Sequence, residues 1–376
     1  MIITQGLLAQ LVAIDSVNPT LVPGGAGEAQ IAAFVADWLR ERGLEVTVDE
    51  PLPGRPSVVG VARGTGGGAS LMLNAHLDTV NVDGMHRPHE PVVRDGRLYG
   101  RGAYDMKGGL AAIMVAGAAA ARDGLSGDVI VTAVADEEHS SEGVQSVLRR
   151  WGADACIVTE PTHLCACVAH KGFVWAQLET QGRAAHGSRA DLGVDAIVGM
   201  APALAGIPGL QRRLDAQGHP LLGAASLHAS LISGGQELSS YPERCVLEVE
   251  RRTLPGESTA DVERELQELL ALAREADPRL TTQLRMGLVR EAFQVDPSAG
   301  IVATLRAAAA QTLGAEPEVV GHKAWMDAAF IAAAGIPTVV FGPTGEGAHA
   351  IEEHVELESV EQVAEIVIET ARRFCA

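Results

Sequence analysis

Basic residues, aromatics and cysteines are all scarce in this 376-residue chain, and aromatics make up only 3% of it. Lysine and arginine total 29 against 48 aspartates and glutamates, a net charge of −19, with no run of five like-signed residues. A surface this acidic repels phosphate backbones and excludes sequence-independent nucleic-acid binding. The five cysteines (Cys156, Cys165, Cys167, Cys245 and Cys375) form an odd set without C-x-x-C spacing, and Cys165 and Cys167 are too close for a zinc knuckle. They are expected to be buried, reduced thiols of a cytoplasmic protein. The longest apolar stretch, Leu110 to Ala121, is too short to span a bilayer. The N-terminal segment shows neither the basic region nor the cleavage site of a secretory signal. The glycine-rich turn GRGAYDMKGG (100–109) lacks G-K-[ST], so it is not a phosphate-binding P-loop. There is no internal repeat, and the one low-complexity patch is GTGGGA (64–69).

What is present is a globular composition, 47% hydrophobic and 20% charged, with a βα rhythm. Ile31, Phe34, Val35, Trp38 and Leu39 share one helical face, which predicts a helix over 28–42 that Gly43 stops. Strands are predicted at 44–50, 57–62, 71–77, 128–135 and 155–160, with a small-residue helix at 107–122 and a short one near 141–150. The nearly continuous apolar run at 71–77 marks a central strand. The rhythm then changes. Segments 173–182, 224–235, 245–254 and 281–289 alternate polar and apolar residues, and a helix near 260–275 carries Val262, Leu266, Leu269, Leu270 and Ala273 on one face. After about residue 290 the βα pattern returns, with helices at 300–312, 327–334 and 358–374 and a strand at 338–342. The expected fold is α/β, a doubly wound, mostly parallel sheet over 1–171 and 287–376, interrupted by a smaller α+β domain at 172–286.

Polar residues gather at the strand ends. His76 and Asp78 lie two apart at the carboxyl end of the central strand, where open α/β sheets build sites. The strand before Asp136 closes in Asp136-Glu137-Glu138, three acids that are costly to crowd together without a nearby positive charge. Glu160 ends the third strand, Asp105 sits in the glycine-flanked turn, and His349 follows the strand that opens FGPTGEGAHAIEEHV (341–355). Two imidazoles with three carboxylates suit zinc or a similar borderline divalent ion better than calcium or magnesium. Five ligands exceed one tetrahedral site and suit two metals that share a carboxylate.

These segments, with SVNP (16–19), HKG (170–172), AHGS (185–188), GGQELSSYP (234–242) and ERRTLPG (250–256), match a known set in content and order. Over essentially its whole length the chain resembles the dinuclear zinc deacylase and peptidase family. That family includes acetylornithine deacetylase, succinyl-diaminopimelate desuccinylase, aminoacylase and glutamate carboxypeptidase. The resemblance implies a zinc-exopeptidase-like core carrying two divalent metal ions, zinc first, with cobalt or manganese as substitutes. It implies that His76 and Glu160 complete one metal, Glu138 and His349 the other, and that Asp105 bridges them. Asp78 is then expected to hold the other ring nitrogen of His76, and Glu137 to act as general base.

The same resemblance makes the inserted domain a lid and dimerisation surface. There His186 is expected to stabilise the oxyanion, often from the partner subunit, and Arg252 to capture a substrate carboxylate. Gly234 and Gly235 are expected to allow close approach of substrate, and Ser239 or Ser240 to replace an amide contact, because SSYP stands where many members have N-x-V-P. Glu250 replaces the usual Asp, and Ala190 stands where Pro is frequent. The function implied is a metal-dependent amide hydrolase that removes the acyl group from an N-acyl amino acid. A carboxypeptidase or dipeptidase of the same family is the alternative, and a catalytically silent scaffold is the remaining one. The expected partners are a small N-acyl amino acid or short peptide and a second copy of the chain, with no nucleic acid and no membrane.

Overall fold

A computed structural model gives the fold of residues 2–376. The chain divides into two compact units. The first takes in the chain up to Val168, then Val295–Val320 and Met326–Ala376; the second is Ala169–Gln294 with Gly321–Trp325. This differs from the expected division at 171/172 and 286/287. A boundary at 286 would have cut the strand Thr281–Arg290, which pairs with Gly172–Gln181 on both sides of that point. The return of 321–325 to the second unit, where Trp325 Nε1 donates to the Glu291 carbonyl at 3.0 Å, has no marker in composition.

In the first unit the central strands Val129–Val134, Leu71–His76, Ala155–Val158 and Thr338–Val340 are neighbours in that order and run parallel. Arg55–Ala62 and Glu45–Leu52 extend one side antiparallel, and Cys167 pairs antiparallel with Val340 on the other. The sheet is therefore mixed, parallel at its centre. Every residue of Leu71–His76 is buried, as its apolar run predicts for a strand covered on both faces.

Helices Ala29–Arg40, Gly108–Asp123 and Leu357–Phe374 join Leu71, Leu73 and Ala75 in one core. Leu39, fully buried there, contributes about 1.5–3 kcal/mol by leaving water. The small residues of Gly108–Asp123 let that helix lie close to the sheet. A Cβ at Gly117 would sit 2.5 Å from Val131 Cγ2, and one at Gly109 would strike the Thr159 carbonyl oxygen.

A second, four-stranded sheet in this unit was not anticipated. Val92–Arg94, Arg97–Tyr99, His354–Glu356 and Gly345–Glu346 are only two or three residues long, too short to show a period. Pairing Tyr99 with His354 draws the turn after residue 99 against the segment that carries His349.

The second unit is a four-stranded antiparallel sheet in the order Ser226–Gly234, Arg244–Thr253, Gly172–Gln181, Thr281–Arg290. Helices Ala196–Asp215 and Thr259–Ala276 pack on it. Ser258 and Asp261 form a reciprocal capping box, and the predicted face from Val262 to Ala273 is buried. Among the described residues no helix is long and apolar enough to cross a membrane. None of the five cysteines is in a disulfide; four are buried and Cys165 is partly so.

Candidate metal centre

The site begins where the central strand ends. His76 is buried, and its Nδ1 lies 2.9 Å from the main-chain carbonyl oxygen of Asp78. A carbonyl only accepts, so Nδ1 is the donor and Nε2 is directed at other partners. Those partners are Asp105 Oδ1 at 3.2 Å and Glu160 Oε1 at 3.7 Å. The Asp78 carboxylate was expected to hold this ring, but its nearer oxygen is 3.7 Å from Nδ1. It accepts instead from the main-chain N–H of Glu137 at 3.1 Å, that of Glu138 at 3.2 Å and Asn18 Nδ2 at 2.8 Å. Asp78 thus orients His76 through its backbone and fixes the Glu137–Glu138 turn through its side chain.

On the other side of Asp105, His349 Nε2 lies 3.5 Å from Asp105 Oδ2 and 3.1 Å from Glu138 Oε2. The donor atoms of His76, Asp105 and Glu160 lie within 4.8 Å of one another, as do those of Asp105, Glu138 and His349. The five expected ligand residues therefore come together as two triads that share Asp105.

The electrostatics ask for positive charge. Burial, followed by the Glu160 carboxylate, pushes the Glu137 pKa well above its ordinary value. Burial also drives Glu160 well up and raises Glu138. Burial opposes the His76 imidazolium, yet Asp105, Glu160, Glu137 and Asp78 around it prevail and its pKa is well raised. Hydrogen bonds to Asp105 and Glu138 lift His349 to about 10. Burial disfavours the Asp105 carboxylate, but its contacts with His349 and His76 outweigh this and hold its pKa low. Five clustered carboxylates cannot be neutralised by two imidazoles. Two borderline divalent cations, each meeting one imidazole and carboxylate oxygens, satisfy both the charge and the donor chemistry.

Several contributors escaped the sequence reading. Asn18, within SVNP, spans Asp78 and Asp136 with bonds of 2.8 and 3.0 Å. Arg55 is paired with Glu28 and reaches Asp136 at 2.9 Å. Asp327 is buried, and its charge adds to the upward shift of Glu137 and Glu160. His354 is buried, with its ring centroid 5.0 Å from that of Tyr99. Asn18 and His354 lie within quoted segments, whereas Arg55 and Asp327 lie outside them, and nothing in residue type distinguished any of the four.

The remaining expected residues belong to the second unit. His186 is paired by an isolated bridge with Ser240, Gly187 N donates to the Ser239 carbonyl at 2.6 Å, and His186 Nδ1 lies 2.8 Å from Ser188 Oγ. His186, Ser239 and Ser240 are thus neighbours. Arg252 Nε already binds Glu250 Oε1 at 2.6 Å, so one edge of the expected carboxylate-binding guanidinium is engaged. Gly234 is paired with Cys245 at the end of its strand, and Gly235 has φ +76°, a left-handed turn position.

Comparison with known proteins agrees with this geometry. The chain is 28% identical over 393 residues to N-formyl-4-amino-5-aminomethyl-2-methylpyrimidine deformylase of Halalkalibacterium halodurans, covering 95% of this chain and 92% of that protein. Aminopeptidase PepT of Bacillus cereus shares the fold with a TM-score of 0.83 at 20% identity, over 100% of this chain and 98% of that one. The YXEP protein of Bacillus subtilis, described as a dinuclear metal binding peptidase, shares it with a TM-score of 0.76 at 15% identity, over 99% and 97%. The model of peptidase family M20/M25/M40 matches residues 72–373, which take in all five clustered ligand candidates, and the chain belongs to that family of amide hydrolases.

Proposed function

We propose that this chain removes a small acyl group from an N-acyl amino acid or a closely related N-acyl amine, by hydrolysis that depends on two divalent cations. The observation that carries this is the pair of triads sharing Asp105, with Glu137 fixed beside them through Asp78. His76, Glu160 and Asp105 would hold one cation and Glu138, His349 and Asp105 the other. Zinc suits the donors best, and cobalt or manganese can substitute. When bound, such a pair lowers the pKa of a water and polarises an amide carbonyl.

Glu137 supplies the proton transfer. Its carboxylate accepts a proton from the attacking water as the water oxygen bonds to the amide carbon. The same proton then goes to the nitrogen as the C–N bond breaks, and the second proton of the water passes from the new carboxyl group to the amine, leaving a carboxylate and an ammonium. His186 is the proposed partner of the developing oxyanion, and the uncommitted edge of Arg252 that of a substrate carboxylate. Ser239, Gly234 and Gly235 are proposed as substrate contacts. The reading includes a homodimer through the second unit and a cytoplasmic location, the latter in keeping with five cysteines outside any disulfide.

The related deformylase supports a deacylase over a peptidase, since its substrate carries a one-carbon acyl group on an amine. A carboxypeptidase or dipeptidase uses the same chemistry and is the second reading. A silent scaffold is set aside by family membership together with an intact Glu137. Values of kcat/KM for N-acetyl-ornithine, N-succinyl-diaminopimelate, N-acetyl-methionine, an N-formyl aminomethylpyrimidine and Xaa-Glu dipeptides separate the two. Higher values across the N-acyl compounds support the deacylase; higher values for the dipeptides overturn it.

A further inference from the structure

We propose, resting on the metal-centre reading of this cluster, that Glu353 and Arg101 are positioning residues that set the spacing of Asp105 and His349. Neither belongs to the two triads. Both are deeply buried, Glu353 at 1% exposure and Arg101 at 2%. Four donors converge on the Glu353 carboxylate. Its Oε1 accepts from the main-chain N–H of Tyr104 at 2.9 Å and of Asp105 at 3.0 Å. Its Oε2 accepts from Gly102 N–H at 2.9 Å and Arg101 Nη1 at 2.7 Å. The turn that presents Asp105 is thereby wrapped around a single buried anion.

The guanidinium of Arg101 carries the connection further. Its Nη2 donates to the Ala350 carbonyl at 2.9 Å, on the residue next to His349, and its Nε to the Asn81 carbonyl at 3.0 Å, three residues past Asp78. One side-chain pair thus fastens the segments that supply Asp78, Asp105 and His349. The fastening matters most for His349, whose side chain is 55% exposed and whose backbone is left-handed at φ +62°. His76, in contrast, is held by a strand.

A buried ion pair is weak support for a stabilising role, because desolvation can exceed the attraction gained. Convergence of three main-chain N–H groups and a guanidinium has a different meaning: it fixes where a backbone lies. Glutamine cannot take the place of Glu353. Both oxygens face donors, so either orientation of the amide turns its NH2 toward an N–H. Arg101 is equally specific, since lysine lacks a planar fork that can reach Glu353 and Ala350 together.

The test titrates metal-free protein with Co²⁺ alone, following heat and the d–d absorption, with Tm measured alongside. Wild type taking up two equivalents upholds the metal-centre reading, and uptake of none overturns that reading itself. Glu353→Gln is expected to weaken both equivalents by roughly 10–100-fold and to shift the d–d band, because Asp105 serves both cations. Arg101→Met is expected to weaken chiefly the second equivalent, the one that uses His349. Glu352→Gln, at the exposed neighbouring position, is expected to bind as wild type.

Wild-type affinities and superimposable spectra in both Glu353→Gln and Arg101→Met would overturn the positioning role, whatever happened to Tm. If Glu353→Gln does not fold, Arg101→Lys, which keeps the charge and loses the fork, takes its place. A loss of tenfold or more in the second equivalent supports the proposal, and an unchanged value contradicts it.

Discussion

The two halves of the candidate metal centre are built differently. His76 is the last residue of a fully buried strand, its side chain is 1% exposed, and its ring is oriented by a carbonyl two residues on. His349 sits on a turn with a positive φ, its side chain is 55% exposed, and its ring contacts are the carboxylates of Asp105 and Glu138. The first triad inherits its geometry from the sheet. The second borrows it from side chains that tie loops together. A tight, slowly exchanging first cation and a weaker, faster second one follow from that contrast.

The largest effect belongs to Glu137, which stands in neither triad. Glu137→Ala removes the proposed proton carrier and leaves both triads intact. It is expected to lower kcat by at least 10²–10⁴-fold, with two equivalents of zinc retained by elemental analysis. Lost activity together with lost zinc would instead make Glu137 a structural part of the centre.

Next comes the contrast itself. His76→Ala is expected to abolish uptake of the tighter cation and, with it, activity. His349→Ala is expected to spare the tighter cation and to weaken the second by more than the roughly 10–100-fold that follows loss of a residue merely supporting a ligand. Competition with a chromophoric chelator measures both. Equal losses in the two variants would erase the distinction between strand-held and loop-held ligands.

The smallest effect is in stability against pH. Glu137, Glu138, Glu160, His76 and His349 all have pKa values raised on folding. Such groups contribute stability that is complete below their unfolded pKa and is lost as pH rises through the folded value; Asp105, held low, has the opposite sign. Metal-free protein should therefore weaken across a window that opens near the ordinary glutamate value of 4.5 and extends to the value of about 10 reached by His349. Bound cations displace those protons, so the Tm gap between metal-loaded and metal-free protein should widen from pH 5 to pH 8, by roughly 2–4 °C for each kcal/mol involved. A gap that narrows over that range contradicts the assigned signs.

The same contrast explains what could be read in the chain beforehand. His76, Glu138 and Glu160 follow from strands whose apolar runs are unmistakable, and the ends of such strands are where open α/β sheets gather polar groups. Asp105 and His349 lie in loops, and only the motifs around them singled them out. The partners were not legible. Whether Asp78 meets His76 by its carboxylate or its carbonyl is a matter of rotamer and turn, invisible in H-x-D. Glu353 reads like its exposed neighbour Glu352, and it is the pairing of His354–Glu356 with Arg97–Tyr99 that draws its segment inward.

In the second unit the alternating strands were plain, yet Ala196–Asp215 was not located. Pro202 and Pro208, with Gly199, Gly206 and Gly209, argue locally against a helix, and tertiary packing of Met200, Ala203 and Leu210 overrides them. The boundary at 286 was misplaced for a related reason, since strand pairing across Thr281–Arg290 is a long-range fact.

The most direct test is a crystal structure of the zinc-loaded protein with anomalous data recorded on both sides of the zinc edge. Two anomalous peaks are predicted, one bounded by His76, Glu160 and Asp105 and the other by Glu138, His349 and Asp105. A single peak, or peaks away from Asp105, would contradict the shared-carboxylate centre and the hydrolysis proposed from it.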